Sequence, residues 1–352
     1  MRNGRKNSLD WGPAVPSDQG KRENGGEFEI IARYFAPLAT DPAALGLLDD
    51  AAVLSIPEGL ELAVTCDTIS GGVHFLTDDP PDTVAYKAVA VSLSDLAAKG
   101  ARPYVYLLSV AFPGRCQPSW LEDFAVGLKA AQDESGIALV GGDTSNTQGP
   151  LTIAVTAIGI LPQGEAVLRR GAMANDRLLV SGTIGDAALG LKLLQAPRLK
   201  EEWGLSVDEG AFLVDRYRCP RARNALAIPL RQCARAAIDV SDGLVGDTMK
   251  LCKASGVSAT IEVSRVPLSP AAGKAVAKAP ELLAEMITAG DDYEIVAAME
   301  ASHAATFEKE AGQHGVAVTA IGEIRRGHGE VEVLDPEGRP LKLRRNSYEH
   351  FE

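Results

Sequence analysis

RLLVSGTIGDAALGLKLL, residues 177–194, decides the fold class. Arg177 to Ser181 reads as a strand, Gly182 to Gly185 as a glycine turn, and the stretch from Asp186 onward as a helix. Strand, turn and helix following so closely indicate layered construction, with helices laid on a sheet. Outward toward the C-terminus the pattern predicts a helical region near 208–233, a strand at 236–240 and a helix at 243–255. Further strands are expected at 257–263, 293–299, 317–324 and 330–334. Toward the N-terminus, Leu151 to Leu161 reads as a buried strand, residues 120–134 as a helix, and Ile137 to Val140 as a strand leading to a turn at Gly141–Gly142–Asp143. Residues 82–99 form a helix whose apolar stripe Val84, Ala88 and Val91 also carries Asp95. Ala51–Ile56 and Leu60–Thr65 flank Pro57–Glu58–Gly59 as an expected hairpin, and a helix begins at Glu27 with Phe28, Ile31, Ala32 and Phe35 on one side. Strands and helices alternate imperfectly, which favours an α+β class with mixed sheets covered by helices over a fully parallel doubly wound sheet. The turn-rich Pro162–Gly164 marks a boundary, giving domains over 25–165 and 166–352 after a loose tail over 1–24.

The 352 residues are 46% hydrophobic and 23% charged, enough apolar material for sizeable cores. A net charge of −12 and only 5% aromatic residues argue against a partner that is nucleic acid. The longest apolar run is about half the ~20 residues of a membrane span, and the first 24 residues lack the apolar core of a signal peptide, so no membrane partner is expected. Five cysteines with no C-x-x-C pair indicate neither a disulfide framework nor a zinc knuckle, and point to a reducing cytoplasm.

Aspartates at turns and strand ends stand out: Asp49–Asp50, Asp67, Asp95, Asp143, Asp239, Asp242 and Asp291–Asp292. Singly, each is an ordinary turn or cap residue, as Asp186 is taken to be. Asp95 is different, because a carboxylate on an apolar helix face needs a partner or a cation. Asp239 ends an apolar strand and Asp242 begins a helix, a usual place for ligands in layered folds. Carboxylates that converge repel one another unless hard cations lie between them, and Mg²⁺ suits oxygen ligands. Gly141–Gly142 and Gly182–Gly185 could admit a phosphate, and Arg169–Arg170 could fork one. There is no G-x-x-x-x-G-K-[ST], no G-x-G-x-x-G after a strand, no H-E-x-x-H and no G-x-S-x-G. The histidines are scattered, and only His74 sits beside a glycine turn near the acidic residues.

Nine segments, in order, resemble the bacterial thiamine-monophosphate kinase family: GGEFEII, LLDDAAV, VTCDTISGGVHFL, AYKAVAVSLSDLAAKGA, LVGGDTS, RRGAMAND, VSGTIGD, AIDVSDGL and AGDDYEI. The resemblance runs from about Gly26 to Phe351, and more widely includes aminoimidazole ribonucleotide synthetase, selenophosphate synthetase and a hydrogenase-maturation protein. It implies two α+β domains of the aminoimidazole ribonucleotide synthetase-like fold and a homodimer formed through N-terminal strands. It implies magnesium ligation by Asp50, Thr65, the Cys66 position, Asp67, Asp95, Asp143, Asp239 and Asp242. ATP contacts are implied for Gly142, Asp143, Arg169 and Ser241, and thiamine monophosphate contacts for His74, Asp291 and Tyr348. Leu48 stands where the family usually has glycine, Ser92 where asparagine is frequent, and Asp291 where glutamate is usual. The implied reaction moves the terminal phosphoryl group of ATP to thiamine monophosphate, with several Mg²⁺ ions and no protein nucleophile. Two other readings stay open: a related ATP-dependent enzyme acting on a carbonyl or amide oxygen, and a nucleotide-binding protein without turnover.

Overall fold

A computed structural model of the chain describes residues 26–348. The tail expected over residues 1–24, and Phe351, lie outside the described residues. The chain divides into two compact units: the first runs up to Ser92 and takes in Pro103–Ile160, and the second combines Leu93–Arg102 with Leu161 onward.

In the first unit, α1 (Glu27–Ile30) continues through a π turn and a 3-10 turn that bury Tyr34, Phe35 and Leu38. The hairpin expected at 51–65 does not form. Residues 51–56 make no strand, because the Val53 N–H is bonded to the Ala43 carbonyl while Ala52 and Leu54 pack against Ala44, Val105 and Val140. β1 (Leu60–Ser70) is therefore longer than expected and pairs elsewhere. It is followed by α2 (Pro81–Ala98), β2 (Arg102–Phe112), α3 (Pro118–Ser135), β3 (Ala138–Asn146) and β4 (Thr152–Pro162). The sheet order is β1-β4-β2-β3, with β2 and β3 parallel on either side of the α3 crossover. Both helices lie on one face of this sheet: Ser92 of α2 reaches the Val155 carbonyl at 3.3 Å, and Gln132 of α3 reaches the Tyr106 hydroxyl at 3.4 Å.

Gly141–Gly142–Asp143 is not a turn. It lies within β3, paired with Leu107–Ser109 just past a register slip at Tyr106/Leu107. A Cβ on Gly142 would collide with the Leu108 carbonyl, so glycine here lets two backbones close beyond a bulge.

The second unit is a six-stranded mixed sheet in the order β10-β7-β9-β5-β8-β6. Its elements are β5 (Arg177–Ser181), α4 (Asp186–Gln195), α5 (Leu199–Glu202), α6 (Val207–Arg218), α7 (Ala227–Cys233), β6 (Ala236–Asp239) and α8 (Leu244–Ser255). They continue with β7 (Val257–Glu262), α9 (Pro270–Lys278), α10 (Leu282–Met286), β8 (Ile295–Met299), α11 (Ala301–Gln313), β9 (Val318–Arg326) and β10 (Val331–Leu334). β10 and β7 are parallel; β7, β9, β5, β8 and β6 pair antiparallel. The period of two sorts the cores: Leu178 and Val180 join Leu244 and Leu251 of α8 on one face, and Leu179 joins Leu230 and Phe307 on the other. The expected α+β class is thus observed in both units. Asp186 is not the helix cap. Gly185 holds that position, and Asp186 is buried in the first turn of α4, accepting hydrogen bonds from the Thr183 hydroxyl at 2.5 Å and the Ser269 hydroxyl at 2.6 Å. Among the described residues no helix is long and apolar enough to cross a membrane.

Candidate functional site

In the first unit a cavity of about 690 Å³ opens on the sheet face away from α2 and α3, and Asp50, Gly142, Asp143 and Thr156 line it. The Thr156 hydroxyl meets Cys66 Sγ at 3.4 Å, which puts Cys66 on this same face. Alternation along β1 sends Thr65 and Asp67 to the opposite face. There the Ser92 hydroxyl donates to Asp67 Oδ2 at 2.8 Å. Asp50 and Asp143 therefore share a cavity, while Thr65 and Asp67 face the helices. His74 follows the Gly71–Gly72 turn; its Nδ1 accepts the Ser70 N–H at 3.0 Å, which places the proton of the neutral ring on Nε2. The buried Lys87 donates to the His74 carbonyl at 2.8 Å and holds the turn in place.

The second unit carries Asp95, Arg169, Asp239, Ser241, Asp242, Asp291 and Tyr348. Asp239 ends β6 fully inside the protein, and the Ser94 hydroxyl donates to its Oδ2 at 2.9 Å. Burial first, then the carboxylates of Asp95 and Asp247, push its carboxyl up to about 8, against the pull of Ser94 and Arg169. Burial, then Arg169, holds the Lys99 ammonium below its usual range, although Asp239 and Asp95 favour its charge. The Ser241 carbonyl accepts the Asp291 N–H at 2.9 Å, and the Asp242 carbonyl accepts the Tyr348 N–H at 2.9 Å. Asp291 has a φ of 73°, with the Tyr293 phenol donating to its carboxylate at 3.2 Å. Gly243, with φ 122°, lets the loop press against the backbone of Thr288 and Ala289, where a Cβ would stand 2.8 Å from the Thr288 carbonyl carbon. α8 starts at Leu244, so Asp242 stands just before the helix rather than in it.

Sequence reasoning missed Asp247 and Lys250. Asp247 is buried in the first turn of α8 and accepts the N–H groups of Asp242, at 2.8 Å, and Gly243, at 3.1 Å. Burial raises its carboxyl, against the Lys250 ammonium that pairs with it. The acid-to-base spacing of three residues was the available signal. Ser94, whose hydroxyl orients Asp239, was equally hidden in an apolar helix, and Ser92, noted only as standing where the family often has asparagine, proves to orient Asp67.

Also unpredicted is a buried polar network behind the Asp291 loop. Glu294 is fully buried and accepts from the Ser181 hydroxyl at 2.6 Å, Arg216 at 2.9 Å and Arg223 Nε at 2.6 Å. Arg216 also donates to the Asp292 carbonyl at 3.2 Å. Buried Asp292 takes the Gly185 N–H at 2.8 Å, and burial pushes its carboxyl well up. The glycine turn before α4 is thus tied to the loop that carries Asp291.

Residues 48–161 match the AIR synthase related protein N-terminal domain, and residues 174–335 match the corresponding C-terminal domain. The thiamine-monophosphate kinase of Caulobacter vibrioides is 45% identical over 307 residues, covering 86% of this chain and 85% of that protein. This chain belongs to the thiamine-monophosphate kinase family. Among solved family members, that of Stenotrophomonas maltophilia superposes with a TM-score of 0.79 at 36% identity, covering 90% of this chain and 98% of its own. AaThiL complexed with AMPPCP and TMP superposes with a TM-score of 0.73 at 29% identity, covering 93% and 97%. In this member of the family, no group of three or more His, Cys, Asp or Glu among the described residues is arranged to hold a metal ion. The donor chemistry nonetheless fits a hard dication: Asp239 is buried against two other carboxylates, an arrangement that calls for a proton or a cation.

Proposed function

We propose that this chain transfers the terminal phosphoryl group of ATP to thiamine monophosphate, giving ADP and thiamine diphosphate. The observation that carries this reading is the near full-length likeness to a family member solved with AMPPCP and TMP. The acceptor is a phosphate monoester whose second pKa is about 6, so its attacking oxygen is already deprotonated near neutral pH and no protein base is required. What the protein must do is bring two polyanions together and align them.

Asp50, Thr65, Asp67, Asp95, Asp143, Asp239 and Asp242, with the backbone at Cys66, are the residues we assign to holding Mg²⁺. When bound, these ions would neutralise phosphate charge and polarise the transferred group. Gly142, Asp143, Arg169 and Ser241 are assigned to ATP, and His74, Asp291 and Tyr348 to thiamine monophosphate. Arg169 brings positive charge beside Asp239, the His74 Nε2–H can donate to a phosphate oxygen, and the Tyr348 ring can cover an aromatic face. Ser92 and Ser94 keep two of the carboxylates oriented.

The same reading includes a homodimer. The open sheet face of the first unit exposes Leu62, Val64 and Leu107 at 41%, 61% and 38%, an apolar surface that a second copy would cover. All five cysteines are free thiols, which fits a cytoplasmic enzyme.

The deciding measurement incubates purified protein with ATP, Mg²⁺ and thiamine monophosphate and follows thiamine diphosphate by mass. Product should form, thiamine should be a poor acceptor, and Asp95→Asn should lower turnover by about 10²-fold or more while the circular dichroism melt stays cooperative. ATP binding without product, or undiminished turnover in the variant, would overturn the assignment.

A further inference from the structure

The chain supplies a cation of its own to one of the proposed metal ligands. Lys250, on the second turn of α8, sets its Nζ between two carboxylates, in close hydrogen-bonding contact with Asp242 Oδ2 and 2.7 Å from Asp247 Oδ1. The two acids are not equivalent. Asp247 is buried and already accepts two backbone N–H groups, so its task is to fix the 242–243 turn. Asp242 has a side chain 34% exposed, so its carboxylate is within reach of solvent and can exchange partners. The lysine side chain is 40% exposed, and its flexible stem lets the ammonium leave for solvent without breaking the helix.

We infer that Lys250 is a resident counter-ion of Asp242, and that a divalent cation must displace it to bind that carboxylate. The inference rests on the reading of Asp242 as a metal ligand. An ammonium and a hard dication seek the same carboxylate oxygens, and each repels the other across the few ångströms of one carboxylate. With Lys250 in place, part of the negative charge of the half-buried site is already offset, and an incoming metal ion is held less tightly. When the dication enters, the positive charge of the lysine swings outward. A purely structural role, as the i,i+3 partner of Asp247, makes the opposite forecast: removing Lys250 would loosen the turn and weaken metal binding.

The test is Mn²⁺ binding to nucleotide-free, full-length protein, with free Mn²⁺ followed by electron paramagnetic resonance. Lys250→Met should bind Mn²⁺ about twofold to fivefold more tightly than wild type, the range of a half-exposed ion pair. Lys253→Met, which removes an exposed charge from the same helix, should leave affinity near the wild-type value. In an Asp242→Asn background the effect of Lys250→Met should vanish. Unchanged or weaker binding in both Lys250→Met and Lys250→Gln, or the same gain with Asp242→Asn present, would overturn the inference. Asp242→Asn binding Mn²⁺ as well as wild type would instead remove the metal-ligand reading on which the inference stands, and both would fall.

Discussion

Asp239 connects the chemistry of one carboxyl group to the stability of the fold. Its carboxyl is raised from 3.8 to about 8 chiefly by burial, so the folded chain keeps a proton there that the unfolded chain has lost. Between those values the folded state binds more protons, and the stability contributed by this group falls as pH rises across the window and levels off beyond it. Asp239→Asn cannot ionise, while its amide oxygen can still accept the Ser94 hydroxyl. Relative to wild type it should therefore gain stability steadily from about pH 4 to about pH 8 in metal-chelated buffer. Parallel thermal melts at several pH values check this, and a constant offset between the two proteins would remove Asp239 as the source. Residues of this kind were legible in the sequence because a carboxylate ending an apolar strand, or riding an apolar helix face like Asp95, is costly without a partner. Asp247 was not legible, because an acid in a first helical turn has an ordinary explanation, and only its buried bonds to the 242–243 backbone show that it shapes the loop.

Among the elements, α6, β8 and the loop between α6 and α7 are locked by Glu294. α6 itself is well specified locally: Ser206 and Glu209 form a reciprocal capping box at its start, a pattern written plainly as S-x-x-E. The lock depends on Arg216 and Arg223 lying 78 and 71 residues from their acid, and no local pattern reveals it. Glu294→Gln would leave two largely buried guanidinium groups facing a neutral amide, and should cost about 3 to 5 kcal/mol of unfolding free energy in urea titration. A loss under about 1 kcal/mol would mean the arginines find other partners. The same distinction explains the expectations that failed. Residues 51–56 look like a strand by composition, yet their backbone is bonded to the preceding 3-10 segment. β2 carries no expectation because RPYVYLLSVAF is apolar on nearly every residue, and its burial follows no strict alternation. Gly141–Gly142 resembles a turn until its partner strand is known, and then proves to be a close approach of two paired strands.

At the scale of the molecule, the open sheet face of the first unit offers the clearest forecast. Val64 is 61% exposed near the middle of β1, and Val64→Asp adds a charge to a surface that a second copy would have to desolvate. Light scattering after gel filtration should give twice the chain mass for wild type and a monomer for the variant; two monomers would remove the dimer from the proposal. The class of both units was readable because helical and two-residue periods occupy separate segments. The way the chain is shared between the units was not, since an uninterrupted helical pattern carries no mark at Ser92. That sharing governs how the protein can be dissected. A fragment ending at Ile160 would keep residues 93–102 but lose Leu179 and Leu230, against which Ala97 packs, whereas one starting at Leu161 would lack that end of α2 altogether. Neither half can be cloned as a single uninterrupted stretch without leaving a greasy scar, and a clean separation requires splicing residues 93–102 onto the downstream piece.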